Sequence, residues 1–236
     1  MNLKRFTKPR FLFVYPLLIA LFFVGRVTDA SFRAGIGLIV LGEALRLWAN
    51  GYVGHVKVNW TQKARGDAKI GRLITGGPYA FVRHPLYLGT LLMGSGFCMV
   101  VGSLWLAALA CICFALFYRD KMRAEDVLLL DECGAEYAGY HAAVPGLLPR
   151  WRRYGHREGV WSWRGIQASK EWRTVIWATV LLILLYFWEE HQERARLFSE
   201  HRPLRFSLIA VAAVLILVDA WSGLRHRRSA KAAGAV

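Results

Sequence analysis

Apolar residues in this chain gather into runs of nearly membrane-spanning length, and the charges gather between them. The runs are residues 11–25, 34–49, 85–101, 104–118, 174–188 and 204–221. The chain is 56% hydrophobic, yet it carries 31 Lys/Arg against 16 Asp/Glu. Such segregation excludes an ordinary soluble domain. It predicts an all-α, polytopic integral membrane helix bundle with about six transmembrane helices. Several runs hold about 15 apolar residues, short of the ~20 a perpendicular span needs. Flanking Trp, Tyr and Arg extend them by snorkelling.

Loop charges orient the spans. Lys/Arg number four in residues 1–10, six in 51–85, ten in 119–173 and four in 222–236, against two in 26–33 and four in 189–205. The positive-inside rule therefore places both termini in the cytoplasm and, for a bacterial chain, the protein in the inner membrane. The run at 11–25 follows a basic stretch, as in a secretory signal, but a second run follows within ten residues, so an uncleaved first span is expected. The basic residues sit at the ends of apolar runs, which makes lipid headgroups rather than nucleic acid their counterions. Cys98, Cys111, Cys113 and Cys133 form no CxxC pair, so neither a disulfide framework nor structural zinc is expected.

Residues 73–88 depart from this pattern. They pack Gly76-Gly77-Pro78, Tyr79, Arg83, His84 and Tyr87 into sixteen positions between apolar segments. The glycines admit backbone angles that a Cβ forbids, and Pro78 then fixes φ. Pro85 disfavours the α conformation at His84 and suits the first turn of a helix. Tyr79, Arg83, His84 and Tyr87 are thus set around the mouth of a helix; a loop with basic and aromatic membrane anchors has the same composition. The runs 85–101 and 104–118 are joined by Gly102-Ser103 alone. This predicts a tight helical hairpin that returns residues after Tyr118 toward Arg83-His84, with Lys121 and Glu125 beside His84 and Tyr87. Residues 118–140 also suit an amphipathic surface helix.

The order Gly77-Pro78-Tyr79, Arg83-His84-Pro85-Leu86-Tyr87, a hairpin, Glu125-Asp126, Gly134-x-x-Tyr137-x-x-Tyr140 and Val144-Pro145 through Pro149 resembles the isoprenylcysteine carboxyl methyltransferase family. Its wider group includes the phospholipid methyltransferases. The resemblance covers roughly residues 35–150. It implies a membrane methyltransferase that uses S-adenosylmethionine in a cytoplasmic cofactor pocket, with no metal. Carried onto this chain, it implies cofactor contacts from Leu73, Ile74, Tyr79, His84, Pro85, Leu86 and Tyr87, and by residue type Arg83 and His84 suit the cofactor's polar end. It implies that Lys121 and Glu125 face the acceptor as catalytic groups. The acidic pair is usually Glu-Glu and is Glu-Asp here; Lys121 stands where the prenylcysteine enzymes tend to have arginine. An ammonium cannot clamp a carboxylate at two points as a guanidinium does. The acceptor therefore stays open: a lipid-like or small hydrophobic carboxylate, amine or thiol, entering from the bilayer. The contrasting expectation is a non-catalytic membrane protein that uses the same fold for assembly or lipid binding. A nicotinamide-dependent reductase of related architecture lacks a second nucleotide motif here.

Four segments follow: an N-terminal membrane helix (1–33), a methyltransferase-like core (34–150), a basic, Trp-rich interfacial linker (151–172), and two extra helices with a tail (173–236). Within the second run, Glu43, Arg46 and Asn50 share a face, either as a structural ion pair or as a wall of an acceptor tunnel. Glu189-Glu190, with His191, Glu193 and His201, shows no recurring ligand spacing and is expected to be a solvated outer loop.

Overall fold

The computed structural model describes residues 28–53, 73–169 and 171–193, with isolated positions between 207 and 221. Among them every regular element is helical: α1 (Asp29–Val53), a 3-10 turn (Gly77–Ala80), α2 (Pro85–Val100), α3 (Leu104–Ala143), α4 (Trp163–Ser169) and α5 (Trp172–Glu193). The chain divides after Ser169 into two compact units, and α5 belongs to the second. The run at 11–25 lies outside the described residues, as do half of 204–221, most of the 1–33 segment, and His201.

The all-α expectation holds for the described residues. The polytopic one is not matched: among the described residues no helix is long and apolar enough to cross a membrane. The reasons lie in the helices themselves. α2 is only 16 residues long, α1 carries Arg33, Glu43 and Arg46, and α3 is apolar only in its first part. The runs at 34–49, 85–101, 104–118 and 174–188 coincide with helices that fall short of a crossing.

α1 and α2 pack backbone to backbone. A Cβ on Gly35 would lie 2.6 Å from the Gly96 carbonyl oxygen, and one on Gly42 2.6 Å from that of Gly89. Only hydrogen at these four positions permits such an approach, which favours dispersion and Cα–H···O contacts. Gly89 also leaves room for the stem of Arg46, whose Cγ would sit 2.5 Å from an added Cβ.

α2 and α3 form the expected hairpin. Gly102 takes a positive φ of 76°, and the Ser103 hydroxyl caps α3 by accepting from the Leu106 amide at 3.3 Å. Ser95 Oγ and Cys111 Sγ lie 3.2 Å apart across the hairpin. The run 104–118 and the stretch 118–133 are one unbroken helix, because neither Gly nor Pro occurs between Leu104 and Cys133. The bend comes at Gly134 (φ 53°, ψ −129°), where the chain turns back.

Past this bend, Tyr137, Tyr140 and Val144 bury themselves with Leu73. The returning chain is stitched to the residues 79–84 segment: Tyr140 Oη donates to the Tyr79 carbonyl at 2.8 Å, Arg83 N to Pro145 O at 2.9 Å and His84 N to Gly146 O at 3.0 Å. Residues 151–162, expected as a linker, dock on the same unit. Thr75 and Gly76 donate to Glu158 O, Tyr154 N to Ala80 O, and Ser162 N to Gly51 O. Gly77, at φ 60°, lies under the Tyr52 ring, which an added Cβ would meet at 2.2 Å.

Candidate active site

His84 precedes α2 with φ −119° and ψ 60°, outside the helical region as its neighbour Pro85 requires. Its ring points at α3. Nε2 lies 2.9 Å from Asp126 Oδ1, and Nδ1 lies 3.9 Å from Glu125 Oε2. Arg83 Nη1 meets the other Asp126 oxygen at 2.9 Å. Tyr137 Oη donates to Asp126 at 2.5 Å, and His141 Nε2 stands 3.6 Å away. Asp126 is thus the hub that ties the Arg83-His84 segment to α3. Burial raises its pKa, but the hydrogen bonds from His84 and Tyr137 and the charges of His84 and Arg83 outweigh that and hold it below the usual carboxylate range.

Glu125, the next residue, behaves oppositely. Burial pushes its pKa up. The His84 charge, the hydrogen bond from Tyr87 and the Lys121 ammonium lower it only partly, and Asp126 raises it further. Two adjacent carboxyl groups are therefore driven apart: one stays a fixed anion, and the other is able to hold or take a proton.

Between them and α1 lies a cavity of about 260 Å³. It is lined by Tyr79, Arg83, His84, Pro85, Leu86 and Tyr87 from the first motif, by Tyr118, Lys121 and Glu125 from α3, and by Arg46 and Thr90. Eight of the ten sequence candidates meet there. The other two do not line it: Leu73 sits in the Tyr137–Tyr140–Val144 cluster, and Ile74 lies against Gly159.

Tyr118, Lys121 and Glu125 share one helical face at i, i+3 and i+7, a spacing that marks Tyr118 as a further wall residue. Thr90 follows Tyr87 by three positions in the same way. Arg46 carries no such signal. It reaches the cavity because the glycine contacts press α1 onto α2, where Nη1 donates to Leu86 O at 3.2 Å and to Thr90 Oγ1. Arg46 thus lines the cavity, while Asn50 donates to the Arg46 carbonyl at 2.9 Å.

The Tyr87 and Tyr118 rings stand 5.3 Å apart at 57°, with Phe114 stacked on Tyr118 at 4.3 Å. Lys121 Nζ lies over both tyrosines, 5.3 Å from one centroid and 5.7 Å from the other. A glutamate, two ring faces and flanking cations around one hollow suit a small ligand with both a positive and a negative end. Among the described residues no group of three or more His, Cys, Asp or Glu could hold a metal.

Residues 35–131 match the isoprenylcysteine carboxyl methyltransferase family. The matched span contains most of α1, the Gly-Pro-Tyr turn, α2 and the cavity-lining part of α3. Over 128 residues the chain is 33% identical to the cobalt-zinc-cadmium resistance protein CzcN of Cupriavidus metallidurans, covering 54% of this chain and 51% of that one. It is 29% identical over 116 residues to the protein-S-isoprenylcysteine O-methyltransferase of Rattus norvegicus (49% and 40%), and 29% identical over 124 residues to the nickel-cobalt-cadmium resistance protein NccN of Alcaligenes xylosoxydans (52% and 52%). The chain spans about half the length of the curated relatives it matches. No solved structure matches. Together the family match and the relatives support assigning the 35–131 core to the isoprenylcysteine carboxyl methyltransferase family.

Proposed function

We propose that this protein is a membrane-associated, S-adenosylmethionine-dependent methyltransferase acting on a lipid-like or hydrophobic acceptor. One observation carries the reading: the contact of His84 with Asp126 closes the Arg-His-Pro-Leu-Tyr motif and Glu125 onto a single cavity. The donor set fits the cofactor. Its sulfonium suits ring faces such as those of Tyr87 and Tyr118, and its carboxylate suits Arg46. When bound, the cofactor supplies an electrophilic methyl group that passes to the acceptor in one in-line displacement, leaving S-adenosylhomocysteine.

The protein's own part is positional and electrostatic. Held in place by Asp126, Arg83 and His84 fix the start of α2, so that Tyr87 and Thr90 face the cavity. Glu125, with its raised pKa, takes the proton of an amine or thiol acceptor; for a carboxylate acceptor, Lys121 neutralises the attacking anion instead. Alignment of acceptor and donor supplies much of the acceleration. An apolar stripe on α3 supports membrane contact. Trp105, Leu109, Ile112 and Leu116 recur at helical spacing, and all are exposed, Trp105 by 87%.

The deciding measurement is equilibrium binding of labelled S-adenosylmethionine to the detergent-solubilised chain. Binding that His84→Ala and Tyr87→Leu abolish is expected; unaltered binding in both variants overturns the site. Transfer of a tritiated methyl group into a lipid extract then identifies the acceptor class.

A further inference from the structure

Lys121 stands where a cation is best received, over two tyrosine faces within the roughly 6 Å at which such attraction operates. Tyr118 is braced there by Phe114, and Tyr87 by its hydrogen bond to Glu125 and its ring contact with His84 at 5.7 Å. Rings fixed on two helices of one hairpin, with a carboxylate beside them, make a receptor for positive charge. An exposed lysine is a mobile occupant, since its stem has four rotatable bonds and its ammonium is strongly hydrated.

We infer that Tyr87 and Tyr118 form the onium receptor of this site and that the Lys121 ammonium is its internal competitor, displaced when the cationic donor binds. Tyr118 is then a specificity-determining residue that favours the charged donor over its neutral product. Two cations cannot share the rings, because like charges a few ångströms apart repel. Entry of the donor therefore drives Lys121 off the rings, free to meet an acceptor. The inference rests on the methyl-donor reading, but it concerns charge discrimination rather than binding itself.

The test compares S-adenosylmethionine with S-adenosylhomocysteine, which lacks the positive charge, by calorimetry on the full chain in detergent. Tyr118→Leu is expected to weaken the sulfonium ligand by roughly three- to tenfold more than the neutral one. Tyr118→Phe, which keeps the ring face, is expected to preserve the wild-type ratio, and Lys121→Met to raise it. A ratio that Tyr118→Leu leaves unchanged overturns the inference, as does a Lys121→Met variant whose preference for the charged ligand falls. Should wild type bind neither ligand, the methyl-donor reading fails and this inference with it. Should both bind while the ratios stay fixed, the inference alone fails. Thermal melts of each variant identify misfolding, and where Tyr118→Leu misfolds the predicted rise of the ratio in Lys121→Met carries the test, its absence overturning the inference.

Discussion

His84 and Asp126, 42 positions apart in the chain, meet at 2.9 Å through Nε2 and Oδ1. That contact is the seam along which the α2–α3 hairpin is closed over the cavity. Arg83 shares the carboxylate, so the seam carries a largely buried charge: side-chain exposure is 11% for Arg83 and 17% for Asp126.

Asp126→Asn leaves Arg83 without its counterion in a low-dielectric setting. A stability loss of about 2–4 kcal/mol is expected, since breaking one partner of a buried pair costs more than the pair is worth. Thermal or denaturant unfolding in detergent reads it directly. A loss below about 0.5 kcal/mol, the size of a surface substitution, would show that the seam is solvated.

The two neighbouring carboxyls give opposite pH signatures. Asp126 is held below its ordinary value of 3.8, so its stabilising contribution is present above that value and is lost as pH falls through the folded-state value. Glu125 is raised above its ordinary 4.5, so its contribution is present below 4.5 and is lost as pH rises through the raised value. Melting temperature measured against pH should therefore lose its acid limb in Asp126→Asn. In Glu125→Gln it should lose its decline above 4.5. Parallel shifts of the whole curve in both variants would contradict the assignment.

Glu125 also predicts a rate profile. If it accepts the acceptor's proton, activity rises with pH through a value above 4.5, and Glu125→Gln lowers turnover by roughly 10²–10⁴ while donor binding persists. A Gln variant with wild-type turnover would remove the residue from the chemistry and leave it a binding group.

Two glycines separate strain from space. Gly134→Ala meets open surroundings, so its cost is conformational alone, about 1–3 kcal/mol at φ 53°. Gly77→Ala adds to a positive φ a collision with the Tyr52 ring at 2.2 Å, and should cost more and disturb the Gly-Pro-Tyr turn. Comparing the two melts tests this ordering. An equal loss would mean that Tyr52 yields freely.

Much of this site is legible in the amino-acid order. Proline fixes where α2 begins, glycine and serine fix where the hairpin turns, and helical spacing places Lys121 and Glu125 on one face with Tyr118. These are local constraints: each acts through the φ of one residue or across one or two helical turns, so the order of residues alone determines them. The role of Asp126 as hub, the arrival of Arg46 through the Gly35–Gly96 and Gly42–Gly89 contacts, and the burial of Leu73 away from the cavity are of another kind. They depend on which helices touch and at what distance. That is decided by packing among residues far apart in sequence, where no periodicity records the partner. For the same reason the apolar runs within the described residues mark helices, while where each helix starts and which charges it includes, such as Arg33, Glu43 and Arg46 in α1, is decided by the folded chain.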